Sequence, residues 1–144
     1  MVFSLSSEKE EGVAVLCRRL GVKAAYLFGS AARGETGPLS DLDVGLLLDA
    51  SPAGRSDHDL RLEATAQLMH LFHAPRVDVV ILNAASPLMR FRVIQQGRLL
   101  FDRDPKARIA FEAKTIRDFC DTQPLRRTYD QQLLRAIRSG RFYG

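Results

Sequence analysis

At 144 residues the chain has the length of one domain, 1–144, and leaves no room for two full ones. An apolar fraction of 46% and a charged fraction of 26% exclude global disorder, a collagen-like fibre and a disulfide-stapled miniprotein. The net charge of +4 is unevenly placed: residues 1–102 carry 11 Lys/Arg against 12 Asp/Glu, and residues 103–144 carry 10 against 5.

Ser6 or Ser7 is placed to cap a first helix, with Glu8, Glu10 and Glu11 near its positive end. Val13, Leu16, Cys17 and Leu20 form its apolar stripe, and Gly21 ends it. Residues 23–28 are short and apolar and stop at Gly29, which predicts a buried strand. A turn-rich stretch, 34–40, leads to a second strand over 41–48. A loop over 50–56 precedes an amphipathic helix marked by Leu60, Ala64, Leu68, Leu71 and Phe72. A third strand is expected over 76–82, rich in Val and Ile. Ser86 caps a helix with Pro87 in its first turn, ending near Gly97, and a short strand over 98–101 follows. Two helices over 104–139 close the chain, the first striped by Ile109, Ala113, Ile116 and Cys120, with Pro124 separating the second. Tyr129, Leu133, Leu134 and Ile137 stripe that second helix, and Tyr129 is expected to be packed. The order defines an α/β (α+β) fold with a small mixed β-sheet flanked by helices.

The stretch from Leu27 to Asp43 carries the chemistry. A strand stops at Gly29, where backbone or ligand can approach closely. Ser30 then caps a short helix over 31–33, whose free N–H groups suit a phosphate, and Arg33 lies one turn on. Asp41 and Asp43 are two apart on a strand and so share one face. At about 4 Å two such carboxylates repel by roughly 1 kcal/mol in water, and by more as the site dries. A divalent cation with a preference for hard oxygen ligands, such as Mg2+, relieves that repulsion. Asp78 sits inside the apolar run 77–82, where a carboxylate is expensive unless paired or metal-bound. If the two strands are neighbours, the three carboxylates converge beside a phosphate-binding turn, as in a two-metal phosphoryl or nucleotidyl transfer site.

Gly29-Ser30, ten further residues and then Asp41-x-Asp43 resemble the signature of the DNA polymerase β-like nucleotidyltransferase superfamily. The chain's size and its Arg33-Gly34 turn resemble the minimal nucleotidyltransferase (MNT) branch, and Asp78 in Arg-Val-Asp-Val-Val matches the family's third carboxylate. The segments 101–108 and 111–114 resemble the C-terminal helices of MNT proteins. The resemblance implies that Asp41, Asp43 and Asp78 are catalytic and hold two Mg2+ ions, with Mn2+ as a substitute. It implies that Gly29, Ser30 and Arg33 hold the phosphates of ATP, and that a hydroxyl attacks the α-phosphorus while pyrophosphate leaves. MNT proteins act as antitoxins of HEPN-family ribonuclease toxins and adenylylate a tyrosine of the toxin, so a HEPN toxin is the expected partner and acceptor. Two other readings stand beside it: an antitoxin that masks its toxin by contact alone, and a small-molecule nucleotidyltransferase of the antibiotic-modifying type.

No apolar run approaches membrane-spanning length and no secretory signal is visible, so a cytosolic protein is expected. Cys17 and Cys120, both on apolar stripes, are expected to be core thiols of a reducing compartment. The basic C-terminal segment lacks the interleaved aromatics that stack bases, so it is read as a solvated or protein-docking face and not a nucleic-acid site. His70 and His73 are three apart without an evident third ligand and are read as a polar helix end.

Overall fold

The structure, a computed structural model, describes residues 5–32, 41–49 and 54–138. Helix α1 (Ser7–Leu20) starts where the Ser6 hydroxyl accepts a hydrogen bond from the Lys9 backbone N–H, and it buries Val13, Leu16, Cys17 and Leu20 as its periodicity predicts. It leads into β1 (Val22–Phe28), a one-turn helix α2 (Gly29–Ala32) and β2 (Leu42–Leu48). Helix α3 (Asp57–Phe72) is capped by Ser56 and leads to β3 (Val77–Ile81). After a 3-10 turn at Leu82–Ala84 comes α4 (Pro87–Gln96), with Ser86 as its cap and Pro87 in its first turn. The chain then forms β4 (Arg98–Asp102), α5 (Pro105–Asp121) and α6 (Gln123–Arg138).

The four strands form one sheet in the order β3-β2-β1-β4. β1 pairs antiparallel with β2 and β4, and β2 pairs parallel with β3. The sheet is therefore mixed: the connection over 29–41 reverses the chain between β1 and β2, while α3 carries it across to a parallel β3. The two central strands are apolar along almost their whole length, as strands covered on both faces must be. One face packs Ala25, Leu27, Val44 and Leu46 against α1 and α3. The other packs Ala24, Tyr26, Phe28 and Leu47 against Val93 of α4, with Phe111 of α5 at its margin.

Three expectations about side-chain placement are corrected. Cys120 is exposed, and so are Ile109 and Ile116, at 56% and 46%. Helix α5 instead turns Phe111, Thr115 and Phe119 inward; Thr115 is fully buried, and the Phe119 ring stacks on Phe91 of α4 with centroids 3.8 Å apart. Tyr129, expected to be packed, is 66% exposed on α6. Arg108 and Glu112 fill the seam between α5 and the sheet, where Arg108 pairs with Asp102 at 2.8 Å and Glu112 accepts the Tyr26 hydroxyl at 2.8 Å. Burial, reinforced by that hydrogen bond, pushes the Tyr26 phenol far above its ordinary pKa. Among the described residues, no helix is long and apolar enough to cross a membrane.

Candidate active site

Three carboxylates collect at one end of the sheet, on the face that carries α4. Asp43 lies on β2, and Asp41 stands just ahead of Leu42, the first residue of that strand. The parallel register places Leu42 beside Val77 and Asp43 beside Asp78. Residues in register on neighbouring strands point to the same side, so Asp43 and Asp78 face one way. Asp41 and Arg76, each two residues earlier, lie at the matching end, where the Leu42 N–H donates to the Arg76 carbonyl at 3.1 Å.

Asp78 does not sit in the core as its apolar neighbours suggest. β3 is an edge strand, and Val77, Val79 and Ile81 point inward while Asp78 points out, with its side chain 52% exposed. Its desolvation is therefore modest, and pairing across to Asp43 is what marks it. Arg76 balances the cluster: its Nε lies 3.9 Å from Asp41 Oδ2 and 3.7 Å from Asp78 Oδ1. This residue was not singled out from sequence, although it stands two places before Asp78 on the same strand face, a spacing that was there to be read.

Asp43 is the sheltered member. Burial raises its carboxyl pKa above the usual range, the charges of Asp78 and Asp41 raise it further, and Arg76 offsets part of the rise. Its carboxylate is packed against Gly29. Phe28 is the partner of Asp43 in the antiparallel ladder, and Gly29 follows with φ of 71°. The backbone conformation favours glycine, and a Cβ there would push the Asp43 carboxylate aside, falling 2.3 Å from Oδ2. Ser30 is the second residue of α2. Arg33 and the turn 34–40 lie outside the described residues.

A pocket of about 490 Å3 opens beside this corner. Phe28, Gly29, Asp43 and Val80 form its sheet wall, and Met89, Arg92 and Gln96 of α4 form the opposite wall. The volume lies within the range of small-ligand sites. The α4 wall was not identified from sequence, because Met89, Arg92 and Gln96 form an ordinary mixed stripe until the helix is laid over the sheet.

The donor set fits a hard divalent cation: three carboxylates at the adjoining ends of β2 and β3, with Asp43 held up in pKa first by its burial and then by the charges of Asp78 and Asp41. Among the described residues, no three acidic, His or Cys side chains are drawn close enough to hold an ion as they stand, and the Arg76 guanidinium supplies the balancing charge. Asp41 and Asp78 are each about half exposed. His70 and His73 end α3, where His73 adopts a left-handed conformation as the helix cap.

An acidic corner beside a pocket is an arrangement that can meet an anionic substrate through a divalent cation. Residues 11–106, well over half of the chain, match the family described as polymerase beta, nucleotidyltransferase, and the chain belongs to that family. Its fold is similar to that of a toxin–antitoxin complex crystallised with AMP-PNP, at 27% identity and a TM-score of 0.73, over 87% of this chain and 98% of that one. A second similar structure is a tri-AMPylated Shewanella oneidensis HEPN toxin in complex with an MNT antitoxin, at 25% identity and a TM-score of 0.68, over 88% of this chain and 96% of that one. The MntA–HepT toxin–antitoxin complex shares the fold at 24% identity and a TM-score of 0.69, over 90% of this chain and 99% of that one. No curated protein matches the chain.

Proposed function

We propose that this chain, acting as one domain over 1–144, is the antitoxin of a HEPN-family toxin and transfers AMP from ATP to a tyrosine hydroxyl of that toxin. The observation that carries the reading is the β2–β3 register, which sets Asp78 beside Asp43, the carboxylate that packs against Gly29 and lines a pocket of about 490 Å3. Likeness to an AMP-PNP-bound toxin–antitoxin complex and to one with an AMPylated HEPN toxin supports it. So does the uncovered apolar surface of α5 and α6, where Ile109, Ile116, Leu125, Tyr129 and Leu134 are exposed on the segment that carries the basic excess. Apolar patches of that kind mark protein-binding surfaces.

In this reading Gly29, Ser30 and Arg33 hold the terminal phosphates, and Asp41, Asp43 and Asp78 hold two divalent ions, Mg2+ or Mn2+. Such ions, when bound, neutralise the triphosphate and lower the pKa of the acceptor hydroxyl. Asp43, packed against Gly29, is fixed in place by the glycine's close approach. Asp78, exposed at the sheet edge, is reachable by a macromolecular acceptor and takes the hydroxyl proton. As that proton leaves, the acceptor oxygen bonds to the α-phosphorus, the bond from phosphorus to the bridging oxygen of the β-phosphate breaks, and pyrophosphate departs. The setting is the cytosol, where the free thiols Cys17 and Cys120 stay reduced.

Intact mass measurement of the chain co-purified with a HEPN-family partner, with and without ATP and Mg2+, tests the reading. An added AMP on the partner, lost with Asp43→Asn, supports it. A stable complex that gains no AMP under any condition points to masking by contact. AMP transfer to an aminoglycoside or other small hydroxyl compound with no protein present points to a small-molecule enzyme.

A further inference from the structure

The α4 wall of the pocket that Asp43 lines holds a cation with no hydrogen bond or ion pair among the described residues. Met89, Arg92 and Gln96 fall at i, i+3 and i+7 and so form one stripe of α4 facing the pocket. Helix α4 is held firmly behind that stripe. Val93 is fully buried over the middle of β2, where a Cβ on Gly45 would come within 3.1 Å of its Cγ1. The pocket wall is therefore fixed by core packing.

Neighbouring arginines are committed to structural partners. Arg90, two residues away, donates from Nε to the Leu82 carbonyl at 2.7 Å and from Nη2 to the Asn83 carbonyl at 2.6 Å. Arg108 pairs with Asp102 and Glu112, and Arg103 with Asp49. Arg76 is shared between Asp41 and Asp78. Arg92 has no hydrogen bond or ion pair among the described residues, yet it lines the same pocket as Asp43 and Gly29. A ligand filling this pocket meets the Asp43 carboxylate on the sheet side and the Arg92 guanidinium on the α4 side. A metal-chelated polyphosphate satisfies both: its cation faces the sheet and its oxygens face α4.

We propose that Arg92 binds the polyphosphate of the incoming nucleotide from the α4 side, opposite Asp43. The assignment rests on the nucleotidyltransferase reading above and adds a residue to it. Mg2+·ATP is the ligand class, and Arg92 is a binding residue that contacts phosphate oxygens, with no part in moving the proton.

Isothermal titration of Mg2+·ATP, and separately of adenosine, into the full chain tests this. Arg92→Met is expected to weaken Mg2+·ATP by about 10- to 100-fold, the range of a charge-assisted hydrogen bond, and to leave adenosine within twofold. Arg92→Lys, which keeps the charge and loses the fork, is expected to recover part of the loss. Arg98→Met, exposed on β4 away from the pocket, is expected to bind Mg2+·ATP like the parent chain. Equal Mg2+·ATP affinity in Arg92→Met overturns the proposal and leaves the nucleotidyltransferase reading standing. Parallel loss of adenosine and ATP overturns it as well, since the residue would then only shape the wall. Failure of the parent chain to bind Mg2+·ATP overturns both.

Discussion

Gly29→Ala perturbs two things that can be measured apart. With φ at 71°, an alanine there pays the left-handed penalty of about 1–2 kcal/mol. Its Cβ also falls 2.3 Å from Asp43 Oδ2, where no real Cβ sits, so the carboxylate or the backbone must move. Oδ2 is the end of a side chain beside a pocket, so swinging it aside costs about 0.5–1.5 kcal/mol more. Gly54→Ala supplies the reference: its φ is 76°, and nothing lies within 4 Å of the added Cβ, so it pays the backbone penalty alone. Thermal unfolding of the two variants, at about 2–4 °C per kcal/mol for a chain near this size, should show Gly29→Ala lower than Gly54→Ala by the clash. AMP transfer should fall steeply in Gly29→Ala and stay at the parent level in Gly54→Ala, because only the first displaces Asp43. Adding Asp43→Ser to Gly29→Ala should return part of the lost stability, since the shorter side chain vacates the contested space, while transfer stays absent. Equal melting temperatures for the two alanine variants, with transfer intact in both, would refute the argument that Gly29 exists to admit the Asp43 carboxylate.

Val93→Ala, in the fully buried contact of α4 with the sheet, should cost roughly 2–3 kcal/mol, whereas Ile116→Ala on the exposed face of α5 should stay within about 0.5 kcal/mol; chemical denaturation separates them. Iodoacetamide at pH 8 should modify Cys120 quickly and spare Cys17 until denaturant is added. Burial pushes the Cys17 thiol up to about 12, so the reactive thiolate is scarce at pH 8 and grows only as pH approaches that value; equal labelling of both in the folded chain would contradict the placement of α1. Chelation with EDTA should abolish AMP transfer and leave the melting temperature nearly unchanged, because Arg76 already balances Asp41 and Asp78 without metal; restored transfer on adding Mg2+ completes the check.

Much of the sheet and its corner was legible in sequence for a physical reason. Strands covered on both faces read as continuous apolar runs, and the caps Ser6 and Ser86 and the Gly29 stop lie where local chemistry alone demands them. The convergence of Asp43 and Asp78 was legible only conditionally. Spacing puts Asp41 and Asp43 on one face, but whether Asp78 joins them depends on which strand β2 pairs with and in which register, and neither is a local property. The same limit hid the α4 wall of the pocket. Arg92 differs from Arg90 in nothing that sequence displays; one donates to Leu82 and Asn83 carbonyls and the other faces Asp43 across a cavity, a difference set by the rotation of α4 about its axis.

That rotation problem is sharpest in α5. Its sequence offers two apolar stripes, one through Ile109, Ala113, Ile116 and Cys120 and another through Phe111, Thr115 and Phe119, and periodicity favours whichever holds the more aliphatic residues. Tertiary partners choose the other. Phe119 meets Phe91 in a stacked pair, Phe111 reaches the cluster around Val93 beneath the Arg90 guanidinium, and Glu112 answers the Tyr26 hydroxyl. A buried tyrosine on the central strand needs an acceptor, and only the rotation that turns Glu112 inward supplies it. The aliphatic stripe is left outside as a consequence, which is why an exposed apolar face on α5 coexists with a satisfied polar seam beneath it. Tyr26→Phe should therefore cost about 1 kcal/mol by leaving Glu112 to Arg108 alone, and Glu112→Leu should cost more, since it strands the Tyr26 hydroxyl at the core boundary; the reverse order in denaturant melts would mean that the aromatic pair, and not the polar seam, sets the rotation.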